Sequence, residues 1–184
     1  MPRIQPVKHA EATGQAKVLL DNVKAGIGMV PNIFATFVHS PQVLEGFLAL
    51  NTALGGGALS LALREQIALT VAGVNACDYC ASAHTALGKG AGVAAAELTE
   101  NLAGRSGDAK VQVVLDFVRK VVETRAKISD ADVQAVRAAG YDDGEIVEIV
   151  AHVGVNLLTN YFNHIAGTDI DFPVVSATAN AAAA

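Results

Sequence analysis

The stretch EQIALTVAGVNACDYCASAH, residues 65–84, organises the chain. It contains Cys77 and Cys80, the only two cysteines of the protein, and His84 four residues after the second of them. Asn75 is a favourable helix N-cap, and the acid three residues later suits the positive end of a helix dipole. The sequence therefore predicts a helix that begins here, with Cys80 on the same face as Cys77 and His84.

This arrangement has the parts of a redox site. The helix dipole stabilises a thiolate in the first turns of the helix. His84 lies one turn beyond Cys80 and is placed to act as its base, while Cys77 can resolve an oxidised Cys80 by forming a disulfide. We therefore expect a Cys77/Cys80 dithiol–disulfide cycle in which Cys80 is the nucleophile.

Three other interpretations of the two cysteines are open. A Cys-x-x-Cys pair is half of a zinc site, but tetrahedral zinc takes four ligands and only His84 offers a third. Haem attachment requires the histidine directly after the second cysteine, where this chain has Ala81. Two inert buried cysteines are the last alternative, because free cysteine often packs as a small hydrophobic residue. The histidine and the helix start favour the redox pair, so we expect no metal and no bound cofactor.

Glu65 is a candidate site residue only if the chain reverses direction. It lies twelve residues before Cys77, so a continuous helix would separate the two by about 18 Å. A reversal between Gly73 and Ala76 would lay two helices side by side, and Gly73 and Asn75 permit such a break. Without the reversal, Glu65 is an ordinary charge near a helix N-terminus, stabilised by the dipole and by water.

The pattern of Glu65, the Cys77-Asp78-Tyr79-Cys80 motif and His84 resembles the alkyl hydroperoxidase D (AhpD)-like branch of the carboxymuconolactone decarboxylase family. Further matching segments, typical of an uncharacterised peroxidase-related subgroup, are residues 30–34, 40–41, 160–164 and 171–173. The resemblance covers nearly the whole chain, but only its Glu–Cys–Cys–His core is specific. Well-studied members carry a histidine where this chain has Tyr79.

Helical spacing of apolar residues recurs along the chain, and no segment alternates as a strand does. We expect an all-α protein, a single AhpD-like helical bundle of about seven helices over residues 1–184. The expected parts are N-terminal helices over 13–58, a helix pair with the Cys-x-x-Cys motif over 60–92, C-terminal helices over 94–166 and a tail over 167–184.

The resemblance implies a thiol-dependent peroxidase for hydrogen peroxide or organic hydroperoxides. It supports Cys80 as the peroxidatic cysteine, Cys77 as the resolving cysteine, His84 as the base and Glu65 as a more distant proton relay. An external thiol reductant of unknown identity must reopen the disulfide. Two alternatives remain: lactone decarboxylation, which gives the wider family its name and needs no cysteine pair, and a redox sensor, disulfide exchanger or metal-binding interaction module.

Composition limits the partners. The net charge is -5 without a block of lysine or arginine, so we expect neither nucleic acid nor an anionic membrane as partner. No apolar run approaches the ~20 residues of a membrane span. The first twenty residues lack the apolar core of a signal peptide, and we expect a cytoplasmic protein.

The shortage of charge also bears on assembly. Only 17% of residues are charged, against roughly 25% in average soluble domains. This predicts a homo-oligomer that buries apolar surface between subunits. The resemblance implies a trimer or a trimer-based assembly.

Five other segments carry expectations. The Gly55–Gly57 loop is a candidate gate, with plain linker favoured. A polar series every four residues, Glu148, His152, Asn156, Asn160 and His164, is expected to make mostly buried hydrogen bonds, with His152 or Asn156 lining a pocket as the alternative. Aromatic residues between 30 and 39 pack in the core or wall that pocket. Phe172-Pro173 docks on the body, and residues 176–184 form a frayed tail.

Overall fold

The computed structural model describes residues 1–178. Within that range the chain is entirely helical, with nine α-helices, a short 3₁₀ helix at His9–Glu11 and no strand. The α-helices are α1 (Gly14–Ile27), α2 (Asn32–Phe37), α3 (Pro41–Gly55), α4 (Leu61–Val74), α5 (Asp78–Gly90), α6 (Ala95–Leu102), α7 (Ala109–Thr124), α8 (Asp130–Ala138) and α9 (Asp143–Ala166). The all-α fold class is confirmed. The helix count exceeds the expected seven or so, partly because α2 is a separate short helix.

Local capping features mark the starts of α3, α4, α8 and α9, four of the nine α-helices within residues 1–178. The Ser60 hydroxyl accepts the N–H of Leu63 at 3.2 Å at the start of α4. Ser129 and Asp142 each form a capping box with the acid three residues later. Pro41 occupies the first position of α3. These boundaries depend on local interactions, which explains why the sequence reveals them.

The predicted N-cap at Asn75 is wrong. Asn75 is the C-cap of α4, and Cys77 is the N-cap of α5, where its sulfur accepts the N–H of Cys80 at 3.3 Å. The chain reverses through Ala76, which has a left-handed φ of 53°. The Asn75 side chain instead donates to the side-chain oxygen of Asn160 at 3.2 Å, and this bond ties the end of α4 to α9.

Helix α4 is the centre of the bundle. It packs against α5, α6, α7 and α9, and its residues 65–72 are all buried. Two hydrophobic clusters meet on it. Leu69 and Ala72 face a cluster built with α1, α2, α3 and α5, whereas Ile67 and Val71 face one built with α7, α8 and α9. A helix that is apolar on nearly all sides is expected to be buried in this way.

The glycine loop after α3 is held by Glu148 of α9. The N–H of Ala58 donates to both carboxylate oxygens at 2.9 Å, and the N–H of Leu59 donates to one of them at 3.1 Å. These backbone donors hold the pKa of Glu148 below its usual value. A Cβ atom added at Gly57 would fall on the same carboxylate. The contacts support the linker interpretation of residues 55–57 over the gate.

The segment after α9 returns to the body and docks on α5. Phe172 packs edge-on against Tyr79, with ring centroids 5.9 Å apart. The N–H of Val175 donates to the Ser82 hydroxyl at 2.9 Å, and the N–H of Ala177 donates to Asp78 at 2.8 Å. Docking of Phe172 is confirmed. Residues 176–178 are also held, where the sequence predicts fraying, and the rest of the expected tail, 179–184, lies outside the described residues.

The outer face of α9 is apolar and exposed. Its large exposed apolar side chains lie in two groups, Val147 and Val150 near the start of the helix and Leu158, Tyr161 and Ile165 near its end. Such a stripe supports the expected homo-oligomer, which stays a prediction. None of the helices within residues 1–178 combines the length and apolar character needed to span a membrane.

Gly73 lets α6 approach the end of α4, because a Cβ atom there would collide with the backbone carbonyl of Leu102. We expect Gly73→Ala to lower the free energy of unfolding by about 1–3 kcal/mol, the usual cost of overpacking. Gly46 lies on the exposed face of α3 with open space around it, so Gly46→Ala is the matched control. It should stabilise the protein by about 0.5–1 kcal/mol. Denaturant titration measures both, and an unchanged Gly73→Ala variant would contradict the close approach.

Candidate functional site

The α4–α5 reversal brings Glu65 and His84 together. His84 Nδ1 lies 2.7 Å from Glu65 Oε2, and the two side chains are 22% and 11% exposed. Glu65 was a candidate site residue only if the chain reversed direction before Cys77, and the structure contains that reversal. Because a carboxylate accepts, Nδ1 carries the hydrogen in this bond, which leaves Nε2 of a neutral His84 as an acceptor.

Cys77 and Cys80 form a disulfide, with their Cα atoms 5.3 Å apart. Both residues are buried. They differ in their access to ligands: Cys80 lines a cavity of about 380 Å³, and Cys77 is not among its lining residues. Glu65 and His84 line the same cavity. Three of the four residues singled out from the sequence, Glu65, Cys80 and His84, thus line one cavity. The fourth, Cys77, is joined to Cys80 by the disulfide.

Asn163 of α9 contacts the sulfur of Cys80. Its side-chain N–H donates to Cys80 Sγ at 3.3 Å, and its Oδ1 atom is buried without a partner. Asn163 entered the sequence analysis only as part of residues 160–164 in the family resemblance, so no role was expected for it.

A spacing signal could have found it. The polar residues of α9 that line the cavity are His152, Asn156, Thr159 and Asn163, which follow one another at four, three and four residues. That spacing keeps to one side of a helix with 3.6 residues per turn, whereas a strict four-residue series drifts off it.

A series with four-residue spacing winds around the helix, and this explains why the members of the predicted polar series lie on different sides of α9. Both His152 and Asn156 line the cavity, the less favoured of the two interpretations. Asn160 and His164 turn away and bond to Asn75, through its side chain at 3.2 Å and its carbonyl oxygen at 2.8 Å. The expectation of buried hydrogen bonds therefore holds for only part of the series.

The cavity walls are mainly apolar and come from several elements. Among the apolar lining residues are Ile33, Phe34, Phe47, Leu48, Ala83 and Val155. The segment 30–39 therefore serves both expected purposes, since Ile33 and Phe34 line the cavity while Phe37 and Val38 are buried in the core. Small-molecule sites in proteins are usually pockets of this size with mainly apolar walls and a few polar groups.

Tyr79 stands where well-studied relatives carry a histidine. It is buried, and its hydroxyl accepts the N–H of Ile33 at 3.3 Å. Burial, with a further contribution from the nearby Asp171 carboxylate, raises the pKa of Tyr79 far above its ordinary value. The phenol therefore stays protonated, and its contacts hold α5 to α2 and to the segment after α9.

Arg64 and His152 bring two further polar groups to the cavity wall. Arg64 donates from Nη1 to the carbonyl of Leu54 at 3.3 Å, but its Nε atom is buried without a partner. His152 is 6% exposed, and its Nε2 atom also has no partner. Burial and the positive charge of Arg64 lower the pKa of His152, so this imidazole is neutral at pH 7. The sequence analysis assigned no role to Arg64.

Across residues 1–178, no group of three or more His, Cys, Asp or Glu side chains is arranged to hold a metal ion.

Residues 41–124 match the carboxymuconolactone decarboxylase family. The fold resembles that of an uncharacterised peroxidase-related protein from Ralstonia eutropha, described as an alkylhydroperoxidase AhpD core, at 26% identity over 92% of each chain with a TM-score of 0.82. A peroxidase-related protein from Silicibacter sp. is 24% identical over 91% of this chain and 92% of that one, with a TM-score of 0.78.

The debrominase Bmp8 shares the fold at 17% identity, with a TM-score of 0.78 over 92% of each chain. No curated protein is significantly similar in sequence. The family match over residues 41–124 and the shared architecture thus relate this chain to the carboxymuconolactone decarboxylase family, and its fold is AhpD-like and all-helical.

Proposed function

We propose that this protein is a thiol-dependent peroxidase that reduces hydroperoxides through a Cys77/Cys80 dithiol–disulfide cycle. The observation that carries the proposal is the position of Cys80. It is bonded to a partner thiol outside the cavity, and it faces a cavity that also contains the Glu65–His84 pair. A nucleophile, its base and a resolving thiol are the parts that peroxide reduction by thiols requires.

In the proposed cycle, the Cys80 thiolate attacks the terminal oxygen of the hydroperoxide ROOH. The O–O bond breaks, the sulfur is oxidised by two electrons to a sulfenic acid, and RO⁻ leaves as the alcohol after taking a proton. The Cys77 sulfur then attacks the Cys80 sulfur, hydroxide leaves and is protonated to water, and the disulfide forms. An external dithiol supplies two electrons and two protons to reopen it, and is itself oxidised to a disulfide.

His84 is the proton carrier in this scheme. Its Nδ1–H is bonded to Glu65, so Nε2 is the atom that takes the thiol proton and later returns it to the leaving alkoxide. Glu65 orients the ring and stabilises the imidazolium that forms in between. Glu65 is thus a positioning residue that acts through His84.

Two contacts favour thiolate chemistry at Cys80. Cys80 is the third residue of α5, where the helix dipole stabilises negative charge. Asn163 donates to its sulfur from α9, and a hydrogen bond of this kind favours the charged form of the acceptor. We assign Asn163 the role of stabilising the reduced, negatively charged sulfur.

The cavity favours an organic hydroperoxide over hydrogen peroxide. Its volume of about 380 Å³ is roughly tenfold the ~30 Å³ that one water molecule takes up in the liquid. The apolar walls would leave hydrogen peroxide with few partners, while they would bury the hydrocarbon part of a larger substrate.

Lactone decarboxylation remains a second candidate because the cavity also holds a proton-transfer pair and an unpaired guanidinium. That reaction needs proton transfer and an anion-binding group, but neither sulfur. The rate at which the thiols react with a hydroperoxide separates the two candidate functions, since only the peroxidase requires Cys80.

The reduced protein should lose both thiols quickly on addition of cumene hydroperoxide. In Cys80→Ser the remaining thiol should react slowly, because Cys77 lies outside the cavity. The matched variant Cys77→Ser should keep the fast reaction but stop at a sulfenic acid, which dimedone traps. Thiol titration and mass spectrometry measure both. A fast thiol in Cys80→Ser would reverse the assignment of the cysteines, and two inert thiols in the wild type would remove the peroxidase function.

Replacement of His84 by glutamine should lower kcat/KM for cumene hydroperoxide about a hundredfold, the lower end of general acid–base contributions. Glu65→Gln should produce a smaller loss, because the imidazole remains in place. His39→Gln is the control, since His39 is exposed and bonds only to the Gln5 carbonyl. Steady-state assays with an excess of dithiol report all three rates. Full activity in His84→Gln would exclude this histidine as the proton carrier.

Asn163→Ala should raise the pH at which the peroxide reaction reaches half its maximal rate, by about one unit. The thiolate loses a donor in this variant, and a hydrogen bond to a charged group is worth about 1.5–3 kcal/mol. Asn160→Ala makes the matched comparison, because Asn160 is a buried neighbour on α9 that bonds to Asn75. Rates measured from pH 5 to 10 on reduced protein test this. Equal shifts in the two variants would argue against a specific role for Asn163.

A further inference from the structure

Two buried nitrogen atoms on residues that line the cavity have no part in the proposed peroxidase cycle. These are Nε of Arg64 on α4 and Nε2 of His152 on α9, and neither has a hydrogen-bond partner. Buried polar groups in proteins are nearly always hydrogen-bonded, because an unmade bond costs the full desolvation of the group. Two such atoms on the wall of one apolar cavity indicate a ligand group that bonds to them.

The positive charge of Arg64 on the cavity wall has no ion-pair partner among residues 1–178, although the chain carries more acidic than basic residues. Its sequence neighbour Glu65 is bonded to His84, and Glu148 is engaged by the backbone N–H groups of residues 58 and 59. Arg64 exerts only a minor effect on the Glu148 carboxylate. A guanidinium without a carboxylate partner is therefore available to an anion inside the cavity.

The groups around His152 suit the same ligand. The charged and titratable groups that act on it are Arg64, Glu148, Glu65 and His84. As a neutral imidazole it can donate one N–H without adding a second positive charge to the wall. One guanidinium and one neutral donor match a single negative charge with two acceptor oxygens, and guanidinium binds carboxylate with matched geometry.

We propose that Arg64 and His152 form a carboxylate-binding subsite, so that the cavity takes an organic hydroperoxide with a carboxylate attached to an apolar body. The apolar walls hold the hydrocarbon body, and the peroxide group reaches Cys80. The identification of the ligand as a hydroperoxide rests on the proposed peroxidase function. The carboxylate subsite itself rests only on the cavity, its unpaired cation and its two unpartnered donors.

Binding of an unreactive ligand tests the subsite without any catalysis. The probe is para-isopropylbenzoate, which has the hydrocarbon body of cumene hydroperoxide plus a carboxylate, and its comparison is the neutral para-isopropylbenzamide. Isothermal titration calorimetry at neutral pH should give the wild-type protein a preference for the carboxylate of about tenfold to a hundredfold, the usual range for a hydrogen bond to a charged group. Equal affinities, or no binding of the carboxylate, would overturn the proposal with the wild-type protein alone.

Two variants test whether the preference for the carboxylate over the amide depends on Arg64. Arg64→Gln should reduce it to less than about threefold, because the amide keeps a donor but no charge. Arg119→Gln is the matched control, since Arg119 is an exposed residue of α7 whose ion-pair partner is Asp116. It should keep the wild-type preference. A preference that persists in Arg64→Gln, with thermal unfolding showing a folded protein, would contradict the assignment of the subsite to Arg64.

A kinetic comparison separates this inference from the proposed function. The substrates are para-carboxycumene hydroperoxide and its methyl ester, and the measured quantity is the ratio of their kcat/KM values. A ratio of about ten or more that falls in Arg64→Gln supports both proposals. Binding of para-isopropylbenzoate without turnover of either hydroperoxide would keep the subsite and refute the peroxidase. Equal turnover of both hydroperoxides would keep the peroxidase and refute the subsite.

Discussion

The reversal of the chain between α4 and α5 is the constraint on which the site depends. It occurs within residues 75–77 and uses a left-handed Ala76, a conformation that costs a residue with a side chain about 1–2 kcal/mol. The cost is offset because α4 and α5 can then pack side by side. That packing brings Glu65 within 2.7 Å of His84, although the two are nineteen residues apart in sequence. Without the reversal the histidine would have no carboxylate to fix its tautomer.

Helix α9 completes the arrangement from the other side. Its cavity face supplies the N–H that contacts the Cys80 sulfur and the imidazole of His152. Its remaining polar residues hold neighbouring segments: Glu148 binds the loop before α4, and Asn160 binds the end of α4. One helix thus both positions the central helix and lines the cavity. A change in the register of α9 would therefore disturb the sulfur contact and the cavity wall together.

The cavity joins two kinds of chemistry through adjacent residues of α4. Glu65 belongs to the proposed proton-transfer pair, while Arg64 presents a cation without a counter-charge. Both line the same apolar space as Cys80. This combination supports a substrate whose apolar body separates a reactive group from an anionic one.

Features that depend on short-range interactions could be predicted from the sequence. Helical spacing and caps such as Ser60, Ser129 and Asp142 revealed most helices, and the three- and four-residue spacing placed Cys77, Cys80 and His84 on one helix. Asn75 was misassigned because a good N-cap can also end a helix, and its side chain found a partner on α9 instead. That Arg64, His152 and Asn163 share one cavity with Cys80 follows only from the packing of the helices. Asn163 lies 83 residues from Cys80, and local sequence carries no record of which helix faces pack together.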